Sequence, residues 1–286
     1  MDNTLLQYGQ ENFNLPHDVV KLPSEGRFYA SKKKSVKVGY LTAADENILM
    51  STNPDDLIIN LVRSKVYEHD LRPDDMLNGD IEAILIFLRN TSFGPEYNIT
   101  AVDPQTGKRF ETEVLLDSLD FKVPSIKPND DGTYSITLPK SGTNLKIRPL
   151  TYKELQDIEK LGETYPKGRV APKITWKLMK QIVSVEGDST EQTKSKFIEG
   201  LPIMDSKYIR NFLFENEPSI DLRKTLLAPS GEKVEVTITF GAEFFRVFFW
   251  LRKVPTRRIL FIGDKHECFV EWFHENAIIC SEIFCG

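Results

Sequence analysis

The segment DIEAILIFLRN at Asp80–Asn90, followed by VDPQTGKRFETEV at Val102–Val114, carries the most information about the fold. It returns 125 positions later, as DSKYIRNFLFEN at Asp205–Asn216 and APSGEKVEVTI at Ala228–Ile238. In both places an Asp opens an apolar run with helical period, and a Pro–Gly turn precedes alternating polar and apolar residues. We interpret this echo as a duplicated scaffold.

The first copy predicts a helix with Asp80 as its N-cap, followed by a hairpin. The hairpin strands, Tyr97–Val102 and Lys108–Leu115, flank a loop that contains a Pro and a Gly. Ahead of them, Ser35–Leu41 alternates as a strand does. Thr42, with an acidic residue three positions later, has the signature of a helix start.

The second copy predicts the same order of elements. Tyr134–Leu138 and Thr143–Pro149 are expected to be strands joined by a short turn, and Thr151 with Glu154 forms a capping box. The second copy is longer between its two helix starts, and the surplus is expected in the polar stretches around residues 162–173 and 186–196.

These patterns predict an α+β fold with two similar tandem domains. Each would hold a helical layer and short antiparallel strands ending in a zinc-ribbon-like knuckle hairpin that lacks the cysteines. A charged segment with two prolines marks the boundary between them. The predicted divisions are a flexible N-terminal arm at 1–19, a first repeat domain at 20–122, a linker at 123–130, a second repeat domain at 131–250 and an unmatched aromatic C-terminal tail at 251–286.

The composition indicates a globular protein of the reducing cytoplasm. The net charge of −5 provides no basic surplus for binding nucleic acid, and the run Lys32–Lys34 is expected to be a solvated loop. The start of the chain lacks the features of a secretory signal, and no apolar run is long enough to span a membrane. The three cysteines form no disulfide framework.

We expect no metal and no cofactor. The turns at Asp103–Gly107 and Ala228–Gly231 have the frame of a Cys-Pro-x-Cys-Gly zinc knuckle, but Asp103, Thr106 and Ala228 stand where thiolates would be needed. The spacing of the C-terminal His and Cys residues also lacks the paired pattern of a structural zinc site. These residues are His266, Cys268, His274, Cys280 and Cys285.

We expect no catalytic residues either. The chain contains none of the motifs that mark a nucleophile elbow, a metalloprotease helix, a P-loop or a dinucleotide-binding turn. Adjacent carboxylates such as Asp74 and Asp75 are typical of solvated turns. A hydrolase whose carboxylates cannot be paired from one sequence stays open as an alternative, and we expect no small-molecule substrate.

Two aromatic groups are candidate anchors for a protein partner, because Phe, Tyr and Trp contribute large burial energies at interfaces. One is Phe28–Tyr29, which follows a Gly turn. The other lies after the second hairpin. For both groups the alternative is ordinary core packing. The candidate partner-binding residues are Phe28, Tyr29, Phe244, Phe245, Phe248 and Trp250, with Phe249 in the same run.

The order of short motifs resembles the T4-type phage baseplate hub assembly proteins. The motifs are LPSxGxFY at Leu22–Tyr29, LTAxDE at Leu41–Glu46 and GDxxAILxxLR at Gly79–Arg89, followed by a Pro–Gly knuckle. Members of that family often carry Cys-Pro-x-Cys-Gly at the knuckles and a Phe-Phe pair after the second one. Phe244–Phe245 matches the pair, whereas the knuckles depart from the Cys pattern. The resemblance covers about residues 20–250.

The resemblance implies a non-enzymatic factor that binds baseplate hub proteins, either as a transient assembly chaperone or as a structural component of the hub. It implies location in the host cytoplasm during phage assembly, and in the virion tail baseplate if the protein is retained. The alternative from another class is a degenerate zinc-ribbon protein that binds nucleic acid, suggested by the knuckle frame and by Lys32–Lys34 but opposed by the acidic charge and the missing thiols.

Overall fold

The computed structural model describes residues 16–49, 54–122, 124–240, 242–245, 259–260, 268–274 and 277–283. The chain divides into two compact units, residues 1–246 and 247–286. Helices and small antiparallel sheets alternate along the first unit, so the predicted α+β class is confirmed.

The first copy begins with a hairpin and ends with a hairpin, and helices lie between them. A short 3₁₀ turn at Ala43–Asp45 precedes the first helix, and another at Pro73–Asp75 precedes the longest one. Its elements are β1 (His17–Lys21), β2 (Ser35–Gly39), α1 (Glu46–Leu49), α2 (Pro54–Lys65), α3 (Asn78–Phe93), β3 (Glu96–Val102), β4 (Arg109–Leu115) and β5 (Phe121–Lys122).

The second copy also has a hairpin before and after its helices, but it adds a third strand to its first sheet, two more helices, and a short strand before the second hairpin. Its elements are β6 (Tyr134–Thr137), β7 (Asn144–Ile147), α4 (Tyr152–Glu163), α5 (Lys173–Gln181), β8 (Ile182–Val185), α6 (Glu191–Glu199), α7 (Ile203–Asn216), β9 (Ser219–Ile220), β10 (Arg223–Leu227), β11 (Lys233–Thr237) and α8 (Ala242–Phe245).

The second unit contains a three-stranded antiparallel sheet in the order β12–β13–β14. Its strands are β12 (Ile259–Leu260), β13 (Cys268–His274) and β14 (Ala277–Ile283). The backbone register pairs Cys268 with Ile283 and Cys280 with Glu271. Of the predicted tail residues, His266 and Cys285 lie outside the described residues.

Both helix-start signatures form as predicted. Thr42 and Asp45 make a capping box, and so do Thr151 and Glu154, whose backbone N–H donates to the Thr151 hydroxyl. Residues 17–19, which the sequence assigned to an arm, belong to a strand in the structure, because His17–Lys21 pairs with β2 and buries Val20. The pairing satisfies backbone groups that an isolated arm would leave to water.

Asp80 is not the N-cap that the sequence predicted. Helix α3 begins at Asn78 after Leu77, which places the Asp80 side chain inside the first helical turn. There it is fully buried and accepts hydrogen bonds from the Ser24 backbone N–H, at 2.9 Å, and from the Tyr29 hydroxyl. Asp80 therefore fastens the loop between β1 and β2 onto α3.

Asp205 has the same place in the second copy. It lies in the first turn of α7 and is fully buried. Its carboxylate accepts from the backbone N–H groups of Lys140 and Ser141, at 2.8 and 2.9 Å, in the loop between β6 and β7. The echo thus corresponds to one local device used twice: a helix-start carboxylate that holds the loop of the preceding hairpin.

The buried apolar side chains that the structure describes in the first unit form two clusters. The first combines β1, β2, α2 and α3, with Leu61, Ile81 and Leu88 completely buried. The second combines β6, β7, α5 and α7, around Tyr134 and Ile209. The helices of each copy bury one apolar face in its cluster. This packing stabilises helices that are too short to persist alone.

The second hairpin does not stay with its own copy. Ile238 and Phe244, which follow β11, belong to the first cluster, and Leu226 of β10 packs against it. The turn of the second hairpin contacts the turn of the first, because the Ser230 hydroxyl donates to the Asp103 carboxylate at 2.8 Å. Strand β5 also pairs with β9. The two copies therefore share one compact unit, and two separable tandem domains are not confirmed.

Gly79 marks a close approach between the copies, and its substitution tests that approach. A methyl group at this position would lie 2.6 Å from Ser219 Cα and closer still to the Pro218 carbonyl oxygen. Because backbone atoms cannot move aside cheaply, we expect Gly79→Ala to lower the free energy of unfolding by about 2 kcal/mol. Urea unfolding measures this loss. Gly200→Ala is the control, since its methyl group would meet nothing closer than 3.9 Å.

Candidate protein-binding surface

The structure places the predicted aromatic anchors in different environments. Tyr29, Phe244 and Phe245 are buried in the first cluster, whereas Phe28 is partly buried. Phe248 and Trp250 lie outside the described residues, as does Phe249. For the three buried residues the structure favours the core-packing alternative over display to a partner.

Tyr29 has a specific structural role. Its hydroxyl donates to Asp80 and accepts a hydrogen bond from the Leu77 backbone N–H at 2.8 Å. Burial, followed by the nearby Asp80 charge, raises the pKa of Tyr29 well above its ordinary value. The ring therefore fixes the β1–β2 loop against the start of α3.

Phe28 lies where the two clusters meet. Its ring contacts that of Tyr134, with ring centroids 5.9 Å apart, and it touches residues of both clusters. Gly132 faces the Phe28 backbone so closely that a methyl group there would lie 2.9 Å from Phe28 Cα. Phe28 joins the copies and does not project as an isolated anchor.

Large apolar side chains are instead exposed on α7. Ile209 and Leu213 point into the second cluster, whereas Ile203, Met204 and Phe214 are 84%, 65% and 72% exposed. Tyr208 is also exposed. We call Ile203, Met204, Tyr208 and Phe214 the α7 face. A helix that buries one side and exposes several large apolar side chains on its other sides is typical of a protein-binding surface.

Further exposed groups lie at the C-terminal end of α7. The Lys122 ammonium donates to the Phe214 carbonyl oxygen and lies 4.5 Å from the centroid of the Phe214 ring. Phe121 precedes Lys122 and is exposed, and Ile126 is exposed next to the Asn216 amide that accepts from its N–H at 2.9 Å. The α7 face thus continues onto the segment that connects the copies.

A second apolar group lies between α4 and α5, in the stretch where the sequence predicted a surplus. Leu161 and Ile174 are half exposed, and Val170 is almost completely exposed. Behind the loop, the Tyr165 and Trp176 rings meet edge to face at 5.8 Å between centroids. The contact between these two rings stabilises the loop. Its exposed apolar residues form a smaller surface than the α7 face.

The basic run is largely occupied by contacts within the protein. Lys33 forms ion pairs with Glu68 and Asp70. Lys32 donates to the Arg27 and Asp130 carbonyl oxygens. These contacts provide no array of free cations for a phosphate backbone.

The knuckle turns are built by hydrogen bonds. The Asp103 carboxylate accepts from the Gln105 and Thr106 backbone N–H groups and from Ser230. Among the residues that the structure describes, no three His, Cys, Asp or Glu side chains are grouped as metal ligands would be. Helices of the described part are too short or too polar for a membrane span.

The sequence reasoning missed the α7 face, although the echo contained a signal for it. At the offset of 125 residues, Ile203, Met204 and Phe214 replace Asn78, Gly79 and Arg89 of the first copy. The second copy is therefore more apolar at the positions where α3 is polar or has glycine. The predicted anchors rest on aromatic content, which alone does not distinguish a core residue from a surface residue.

Known proteins identify the family of this chain. The family model described as T4 bacteriophage base plate protein matches residues 17–246. No curated protein and no solved structure matches the chain. The matched range contains both copies, the shared knuckle contact and the α7 face.

Proposed function

Because the chain belongs to the T4 bacteriophage base plate protein family, we propose that it is a non-enzymatic protein-binding factor in the assembly of the tail baseplate hub. Family membership indicates a role in the phage tail baseplate, and such a role requires contact with other baseplate proteins. The α7 face is the surface that we assign to this contact.

The exposure of the α7 face is the observation that carries the proposal. Its side chains are flexible or aromatic and lie on a helix whose opposite side is anchored by Ile209 and Leu213. A partner that covers Ile203, Met204 and Phe214 gains about 25 cal/mol per Å² of apolar surface removed from water. Because the helix is already folded, little ordering of the backbone opposes this gain.

We expect partner contacts to concentrate on a few of these groups. Aromatic residues carry much of the energy at protein interfaces, and Phe214 is the most exposed aromatic side chain among those described on α7. Lys122 beside it provides a cation next to the apolar centre, so an acidic group at the rim of the partner surface would be favoured.

Substitution on the α7 face tests the proposal. We expect Met204→Ser with Phe214→Ser to reduce co-purification with co-expressed baseplate hub proteins at least about tenfold, since two desolvated side chains carry more than 1.4 kcal/mol. The free energy of unfolding is expected to change little, because both side chains are exposed.

Val19→Ser is the matched control, because Val19 is also exposed but lies on β1. Co-purification that survives the double substitution would reject the α7 face as the binding surface. Absence of co-purification of the wild-type chain with every hub protein would reject the proposed function itself. Electrophoresis of purified tails then distinguishes a retained component from a transient assembly factor.

A further inference from the structure

The loop at residues 164–172, which we call the α4–α5 loop, carries unpaired positive charge beside an exposed apolar side chain. Residues 160–180 contain six Lys or Arg and one Glu, although the whole chain has a net charge of −5. Lys167 and Arg169 are exposed, and within the described ranges neither side chain forms an ion pair or a hydrogen bond. Val170 follows them and is 93% exposed. The loop therefore presents two cations and one apolar group together.

Contacts within its own segment hold this loop in one shape. The Arg169 backbone N–H donates to the Pro166 carbonyl oxygen at 3.2 Å, and Gly168 between them has a φ of 83°, as a tight turn of this kind requires. The edge-to-face contact of Tyr165 with Trp176 supports the turn from behind. Binding to this turn therefore requires little ordering of the backbone.

The outer face of the hairpin β3–β4 has the opposite charge. Alternate residues of both strands are exposed there, and the register places Glu111 opposite Thr100 and Glu113 opposite Asn98. Neither glutamate forms an ion pair within the part of the chain that the structure describes. Leu115 lies on the same strand and the same face and is 49% exposed. We call Glu111, Glu113 and Leu115 the hairpin face.

The charges around the hairpin face leave its middle acidic. Glu96 lies opposite Leu115 and adds a carboxylate at one end, whereas Arg109 adds a cation at the other end, next to the turn. The hairpin face and the α4–α5 loop thus match in kind: each has two like charges beside an exposed apolar side chain, and the charges are of opposite sign.

We propose that the α4–α5 loop of one molecule docks on the hairpin face of a second copy of the chain. The two cations of the loop then face the two carboxylates of the hairpin face, and Val170 packs on Leu115. Because each molecule carries both surfaces and the surfaces differ, the contact is head to tail. A contact of this type can repeat, and it then forms a ring or a chain of molecules.

The charges determine the specificity of this contact more than its strength. An exposed ion pair contributes little free energy by itself, but opposite charges on facing surfaces speed association, and like charges oppose it. The apolar pair adds affinity by removing Val170 and Leu115 from water. No residue of the α7 face takes part, so the self-contact does not depend on the proposed function.

Sedimentation velocity of the full chain at several protein concentrations tests the contact. We expect the wild type to self-associate at about 0.05 M salt and to do so less at about 0.5 M salt, because salt screens exposed charges. Lys167→Glu with Arg169→Glu should weaken self-association at least about tenfold, since like charges would then face each other. Glu111→Lys with Glu113→Lys should weaken it to a similar extent.

A mixture of the two charge-reversed variants provides the decisive measurement. Neither variant should associate alone, but an equimolar mixture should, because the reversed loop of one fits the reversed hairpin face of the other and their unchanged surfaces also fit. A chain with all four substitutions should self-associate for the same reason. A loss caused by misfolding or by altered net charge would not be restored in this way.

Lys127→Glu with Lys196→Glu is the matched control, because both lysines are exposed elsewhere and the net charge changes by the same amount as in the loop variant. This control should associate like the wild type. A wild-type chain that stays monomeric at low salt and high concentration would overturn the proposal in favour of a different acidic partner. Equal association of the wild type and both reversed variants, or a mixture that stays monomeric, would overturn it as well.

Discussion

Replacement of Asp80 by alanine is expected to lower the free energy of unfolding by about 3 kcal/mol. The carboxylate is fully buried, and its removal would leave the Ser24 backbone N–H and the Tyr29 hydroxyl without their acceptor. Buried donors that lose a partner cost their full desolvation energy. The loop between β1 and β2 would then lose its attachment to α3. Urea unfolding with matched pH and salt measures the change.

Two substitutions control this prediction. Asp117→Ala removes an exposed carboxylate from a 3₁₀ turn and should change the free energy of unfolding by less than about 0.5 kcal/mol. Asp80→Asn keeps one acceptor oxygen and should cost less than Asp80→Ala. An Asp80→Ala protein as stable as the Asp117→Ala protein would show that the buried carboxylate does not hold the loop.

Replacement of Phe244 by alanine is expected to cost about 4 kcal/mol of unfolding free energy. The side chain is fully buried and contacts the rings of Tyr97, Phe240 and Phe245 at 4.8 to 5.2 Å between centroids. Alanine would leave a cavity between the first cluster and the second hairpin. Thermal and urea unfolding measure the loss.

Phe214→Ala is the matched control, because it deletes the same side chain from an exposed position. We expect Phe214→Ala to affect partner binding and leave stability nearly unchanged, whereas Phe244→Ala should do the reverse at temperatures where the variant is folded. A stable Phe244→Ala protein that no longer binds a hub protein would contradict the core assignment and restore Phe244 as an anchor.

Local signals were reliable in this sequence. The capping boxes at Thr42 and Thr151 form because a Thr hydroxyl and an acidic side chain three residues later satisfy helix-start N–H groups within one turn. The hairpins around the two Pro–Gly turns also form where the alternating pattern predicted them. Such elements depend on neighbours in the chain, so a single sequence is sufficient to find them.

Predictions that depended on distant partners were less accurate. The echo pointed to Asp80 and Asp205, but their partners are loop N–H groups 56 to 65 residues away, and the sequence offered only the N-cap role for Asp80. The sequence did not predict strand β8, because the hydrogen bonds that stabilise this strand are made with β7, a distant segment of the chain. The separate-domain interpretation also could not anticipate that the second hairpin joins the first cluster.

The sequence alone determined the turns, the capping boxes and the resemblance to baseplate proteins, because each depends on short-range patterns of residue type. Tertiary structure alone decided which aromatics are buried and which apolar residues remain on α7. Burial depends on which other parts of the chain pack against a side chain. The residue type alone does not show whether an apolar side chain lies in a core or on a binding surface.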